Sequence, residues 1–223
     1  PKVKAVGERT TLGYLNSGVF AKVPAEVSFM DKNCTKWSYA EPSVGHMPSA
    51  EKEITMDTTS LKLLGIEPVL GTEITLTYIM NDKNDFPVAY TDTFTLAGWW
   101  EYDEISPVHY INISETYADT MASWGLANEL APFRTDLNVM MRSSMNIRGQ
   151  MEQVDRDLGY SFDEAGGENV VRIGVNWGYT SAQLDENIDI TTVLPILAFL
   201  GLIIFTGYLI IYNIFTSKRT HLN

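Results

Sequence analysis

Apolar and β-branched residues gather in short runs at Val3–Val6, Val19–Val23, Ile74–Met80, Phe94–Trp100, Val108–Ile113, Leu137–Met141 and Val170–Trp177. Gly, Pro, Asn or Asp bounds most of them, and runs of this length between turn formers predict strands. Glu73-Ile74-Thr75-Leu76-Thr77-Tyr78 alternates polar with apolar, the period of a half-buried strand. Asp92–Trp99 resembles its partner, which predicts a hairpin turning across Asn81–Tyr90.

Three segments carry helical signals instead. Asp57 stands where it can cap a helix over Thr58–Leu64, with Gly65 in the position that favours a left-handed residue. Ser114 can cap Glu115–Trp124, which places an acidic side chain in the first turn and ends at Gly125. Ile147, Met151, Val154 and Leu158 recur at steps of four, three and four, one apolar stripe on a helix, and Gly159 follows as a stop. No internal repeat, low-complexity run or long linker divides these elements. They predict an α+β fold, a mixed α/β domain with antiparallel strand pairs and helices packed on the sheet.

The pattern then changes. Val193 to Phe215 is a run of 23 residues without a charged side chain. At helical rise it reaches roughly 34 Å, enough to cross a hydrocarbon core. Gly201 and Gly207 are tolerable there because lipid leaves the backbone no alternative to the helix, and Tyr208 continues the apolar run. Pro195 is expected in the first turn, where no intrahelical N–H is lost. A signal-peptide core is the alternative, and the position at the far end of the chain argues against it. Lys218 and Arg219 follow the run, whereas Asp185, Glu186 and Asp189 precede it. The positive-inside rule therefore predicts a cell-membrane protein with residues 1–190 outside, a span over 191–216 and a cytoplasmic tail over 217–223. A tail-anchored protein with its bulk in the cytosol is the competing topology. Pro1 is preceded by no Met and no leader-like segment, so we expect an exported piece of a longer chain, with a signal peptide or an earlier span upstream.

Charge narrows the function classes. The sequence holds 16 Lys and Arg against 28 Asp and Glu, a net charge of −12, and both basic residues just after the span lie on the inner side. Such a surface repels phosphates, so no nucleic-acid partner is expected; membrane lipid is the expected contact of the span. Cys34 is the only cysteine, so the outer domain must hold together by its core alone. Asn33-Cys34-Thr35 and Asn112-Ile113-Ser114 match the glycosylation sequon, a pattern short enough to arise by chance.

The sequence predicts no enzyme, no cofactor and no metal centre. His46, His109 and His221 lack ligand-like spacing, and neither a nucleophile elbow nor a phosphate-binding glycine loop occurs. Asn81-Asp82-Lys83-Asn84-Asp85 gathers oxygen atoms but lacks the glycine and distal glutamate of a calcium loop, so a polar hairpin loop is expected. Trp99 and Trp100 are candidate partner contacts, because neighbours on a strand face opposite sides. A sheet covered on both faces would bury both.

Read together, Glu168-Asn169-Val170-Val171, Asn176-Trp177-Gly178-Tyr179 and the span from Leu194-Pro195-Ile196 to Thr206-Gly207-Tyr208-Leu209-Ile210-Ile211-Tyr212-Asn213-Ile214-Phe215 resemble an FtsX-like ABC transporter permease of Gram-positive type. Glu53-Ile54-Thr55-Met56-Asp57, Leu70-Gly71-Thr72-Glu73-Ile74-Thr75-Leu76 and Phe94-Thr95-Leu96-Ala97-Gly98 are similar to its MacB-like extracellular core. The resemblance implies an outer domain between a first and second span. It also implies a separate cytoplasmic ABC ATPase subunit, a homodimer or paired permease half, and a domain that transmits motion. The short Lys218-Arg219-Thr220 tail departs from the longer continuation of such permeases. A single-span surface receptor or adhesin acting by binding is the competing class.

Overall fold

A computed structural model describes residues 2–103, 106, 108–143, 145–160, 173–174 and 190–220. The fold is mixed α/β, about 33% helix and 37% strand. Val3–Met140 and Met141–Asn223 belong to separate compact units.

The first unit is organised by one sheet. Its strands are β1 (Val3–Leu15), β2 (Ala25–Met30), β3 (Val44–Gly45), β4 (Glu53–Asp57), β5 (Glu73–Asn81), β6 (Pro87–Trp100), β7 (His109–Ile113) and β8 (Arg134–Met141). The pairing runs β2-β7-β4-β6-β5-β1, and β1 pairs with β2 in turn, so the ladder returns to its start. β2 with β7 and β4 with β6 are parallel, while the other registered pairs are antiparallel. Closure between β1 and β5 rests on a single registered pair, Tyr14 with Ile79.

Glycine makes that approach possible. A Cβ on Gly13 would lie 2.2 Å from the Ile79 carbonyl oxygen, inside any allowed contact. The β1/β2 register also slips between Thr11 and Gly13, leaving Leu12 as the extra residue of a β-bulge. Leu12 and Leu15 are both buried, so the bulge keeps two nearby side chains in the core where strict alternation would not.

The predicted hairpin is present. β5 and β6 pair continuously from Glu73 with Thr95 to Asn81 with Pro87, a tighter turn than the sequence suggested. Ile74, Leu76, Tyr78 and Met80 point into the core, and on the other face Thr75 bonds Thr93 and Thr77 bonds Thr91 across the strands. In the turn, Asp82 Oδ1 accepts the N–H groups of Asn84 and Phe86, the behaviour of a polar loop.

Helix α2 (Thr58–Leu64) matches its predicted bounds: Asp57 accepts from Ser60 N at 2.8 Å, and Gly65 has φ 71°. Helix α3 (Glu115–Ala127) starts as predicted, with Ser114 accepting from Tyr117 N, but continues past Gly125 to a cap at Asn128. It lays Tyr117, Ala118 and Met121 on the core. Val19–Val23 is a correction. It is not a strand; Gly18–Phe20 forms a 3-10 turn that buries Phe20, and the strand begins after Pro24, at Ala25. Helix α1 (Lys32–Trp37), capped by Asp31 at Cys34 N, carried no signal that we read.

In the second unit, α4 (Ile147–Asp157) carries the predicted stripe, and Gly159 follows with φ 85°. Ile147, Met151 and Val154 are only half-buried, Leu158 is 67% exposed, and Asp155 is the residue enclosed. Helix α5 (Ile190–Thr220) holds the apolar run. It begins earlier than expected, which places Pro195 inside the helix and not in its first turn. The ring therefore removes an interior bond, the one to the carbonyl four residues back at Thr191. The expected strand Val170–Trp177 lies largely outside the described residues, as do Pro1 and Asp189.

Candidate functional site

Three features of the chain go beyond what packing alone asks for. The first is α5. Its segment Pro195–Tyr212 has a mean hydropathy of 2.2 with none of it buried, and it is the one helix among the described residues long and apolar enough to cross a membrane. At about 1.5 Å per residue that segment alone covers roughly 27 Å. The Thr206 hydroxyl is satisfied within the helix, since Oγ1 donates to the Leu202 and Ile203 carbonyls at 2.9 Å. Gly201 and Gly207 leave open space where a Cβ would stand, and Tyr208 stacks on Tyr212 with ring centres 6.3 Å apart. Val193 and Phe215 fall within the same helix, which continues through Lys218 and Arg219.

The second is a groove of about 350 Å³ in the strand-rich unit. One wall is α3, from Glu115 to Leu126, and the floor includes Phe29, Ala122, Leu130 and Phe133. Ala118 and Gly125 keep that wall low, while Glu115 and Asp119 on it and Glu8 on β1 bring carboxylates to the groove. All three acids are exposed, and no Lys or Arg lines the groove.

The third is a buried polar cluster where β4 runs into α2. Asp57 is fully enclosed, and His109 Nδ1, donating as it must to a carboxylate, lies 3.0 Å from its Oδ2. Ser60 Oγ donates to the same oxygen at 2.8 Å, and the Tyr102 ring stacks on the imidazole with centres 4.0 Å apart. An Asp–His pair invites comparison with a catalytic dyad. Here the serine bonds the carboxylate and not the imidazole, the wrong end for a nucleophile. The cluster is a helix cap with a second strand tied into it.

A further polar chain runs from core to surface: Tyr78 OH meets Tyr117 OH at 2.9 Å, Tyr117 donates to Asp92 at 3.0 Å, and Lys52 pairs with Asp92 while lying over the Tyr117 ring. Burial pushes the Tyr117 hydroxyl well above the usual phenol range, and the bond to Tyr78 pushes it further. It stays protonated and acts as a donor.

The tryptophan pair divides as strand geometry requires. Trp100 enters a second cluster with Met30, Cys34, Ala40 and Tyr110, whereas Trp99 packs against the main core. A register shift opposite Ile54 and Thr55 leaves Ala97 as an extra residue in β6, which puts Trp99 on the same side as Phe94 and Leu96. Both faces are covered, so Trp100 at 5% exposure offers no docking surface and Trp99 is half-buried. The groove was not legible from sequence spacing, because its residues come from three distant stretches.

Cys34 is buried beside Ser38 and Asn138, and burial pushes its thiol up, the condition of an inert cysteine. Asn112 is also fully enclosed, donating to the Ala40 carbonyl and Thr55 Oγ1, so its sequon offers no acceptor surface. No group of three or more His, Cys, Asp or Glu among the described residues is arranged to hold a metal ion. No protein-family model matches the chain, and no curated protein sequence matches it.

Proposed function

We propose that this chain is the outer domain and following span of an ABC transporter permease subunit of the FtsX-like type. Residues 1–190 lie outside and the C-terminus lies in the cytoplasm. The observation that carries the reading is Pro195–Tyr212, an apolar helical surface none of which is buried among the described residues, following an acidic α/β domain that needs no disulfide. In water such a surface would be strongly unfavourable; lipid and neighbouring spans are its natural solvent. The charge difference across it, acids before and Lys218-Arg219 after, supports the orientation. The similarity of the Leu194–Phe215 string to the second span of such permeases supports the family.

In this reading the chain performs no chemistry. A separate ATPase subunit closes and opens on ATP in the cytosol, a homodimeric or paired permease half moves with it, and the outer domain passes the motion to an exported substrate or an outside partner. Affinity purification of the tagged full-length product from host membranes, followed by mass spectrometry, tests it. Reproducible recovery of an ABC-type ATPase is the expected result. Its repeated absence with the span intact would leave the second reading, a single-span receptor, which the acid-rimmed groove favours.

A further inference from the structure

The groove on α3 gathers three carboxylates around an apolar floor with no Lys or Arg in its lining. Glu26, Asp92, Asp136, Glu129 and Glu152 all have a Lys or Arg within ion-pair distance. Glu8, Glu115 and Asp119 have none among the described residues. Three carboxylates around one groove, with no basic side chain in its lining, complement a positively charged occupant. The floor adds a second requirement, since Phe29, Leu130 and Phe133 line a groove of about 350 Å³ that only apolar side chains fill favourably. Along α3 the wall from Glu115 to Leu126 is about 16 Å, the reach of five extended residues or three helical turns.

We propose that this groove docks a basic peptide segment of a separate polypeptide, which sets apolar side chains on the floor and Lys or Arg against Glu8, Glu115 and Asp119. Charge disfavours the other occupants. The chain's own segment 161–189 holds six carboxylates and a single arginine, and a second copy brings a net charge of −12. The occupant does not depend on which subunit binds in the cytoplasm, so failure to recover an ATPase leaves this binding in place, and loss of this binding leaves the ATPase result in place.

The test uses the full chain in nanodiscs of zwitterionic lipid and a fluorescent Leu/Lys peptide with its leucines on one helical face, read by anisotropy. Binding is expected, with affinity falling about tenfold in the triple variant E8Q/E115Q/D119N and falling likewise as salt rises. Ala122→Trp, which fills the floor, should abolish it. Leu126→Arg repeats the test at a position 75% exposed, where the fold is indifferent to the change. A Leu/Glu peptide should not bind, and a Ser/Lys peptide of equal charge should bind at least about tenfold more weakly. The proposal is overturned if no Leu/Lys binding occurs, if the Leu/Glu peptide binds equally, or if all three variants leave affinity unchanged. It is also overturned if the chain self-associates in a way that Ala122→Trp abolishes, which assigns the groove to a second copy.

Discussion

Replacing Asp57 separates the roles that the buried carboxylate combines. It accepts from Ser60 N, Ser60 Oγ and His109 Nδ1 at 2.8, 2.8 and 3.0 Å, with no exposure to solvent. Asp57→Ala removes the helix cap, about 1 kcal/mol, and leaves a buried imidazole N–H without its acceptor, a further 1–3 kcal/mol or so. The expected loss is about 2–4 kcal/mol, or about 5–15 °C in Tm for a domain of this size. Asp57→Asn keeps an oxygen for Ser60 N and can offer its amide to the imidazole if His109 changes tautomer, so it should cost only about 1 kcal/mol. The assay is thermal unfolding of the full chain in detergent, followed by tryptophan fluorescence, since Trp99 and Trp100 stand at the end of the strand paired with β4. In a double-mutant cycle with His109→Ala, the coupling should reach about 1 kcal/mol. Equal losses for Asn and Ala, or an Ala loss below about 0.5 kcal/mol, would refute the view that this cluster ties α2 to β7.

Gly13→Ala forces a methyl onto the Ile79 carbonyl and should cost at least about 2 kcal/mol, with faster amide exchange in β1 and β5; unchanged exchange would mean the ring does not close there. Tyr117→Phe leaves the Tyr78 hydroxyl without its buried partner and should destabilise by about 1–3 kcal/mol, whereas Tyr78→Phe combined with it should cost less than the two single losses added, which a denaturant series can measure. Burial pushes the Asp92 and Asp136 carboxyls up, but Lys52 on Asp92, and Arg9 and Arg134 on Asp136, outweigh it and hold both below their ordinary value of 3.8. Their contribution is thus complete above pH 3.8 and is lost as pH falls through the lower folded values; a urea midpoint that stays flat in that range would contradict it. On the proposed reading of Pro195–Tyr212 as a span, Arg at Ile203 and Ile204 should make the chain extractable from membranes by alkali, because each charge at a span centre costs about 2.5–3.5 kcal/mol of insertion.

Local signals in the sequence translated well where the local chain decides the outcome. The Asp57 and Gly65 ends of α2, the Ser114 cap of α3 and the alternation of Glu73–Tyr78 need no distant partner to be read. Val19–Val23 misled because Pro24 stops pairing and Phe20 reaches the core from a turn, so burial there arises without a strand. β2 hid its nature behind Glu26 and Ser28, both buried because Arg9 and Thr11 reach Glu26 from β1 and α1 covers the outer face of that part of the sheet. The closed ladder could not be read at all. It depends on β1, which carries two glycines and several polar residues, and on partners far along the chain. The groove depends on the same long-range pairings, which is why its acids looked like ordinary surface charge.

β1 and β8 are the outermost strands of the sheet by sequence, and they meet. Thr10 bonds Thr135 at 2.9 Å, Arg9 reaches Asp136 at 2.9 Å, and the Arg142 N–H donates to the Lys2 carbonyl, so the strands run antiparallel. The chain accordingly enters the sheet at Lys2 and leaves it at Arg142 side by side. A pull applied across those two points meets the bonds one after another, as the teeth of a zip are met, and not all together as in shear. The seam between the first and last strands is therefore the mechanically soft edge of the domain, the place where tension entering along the chain is first felt and first released.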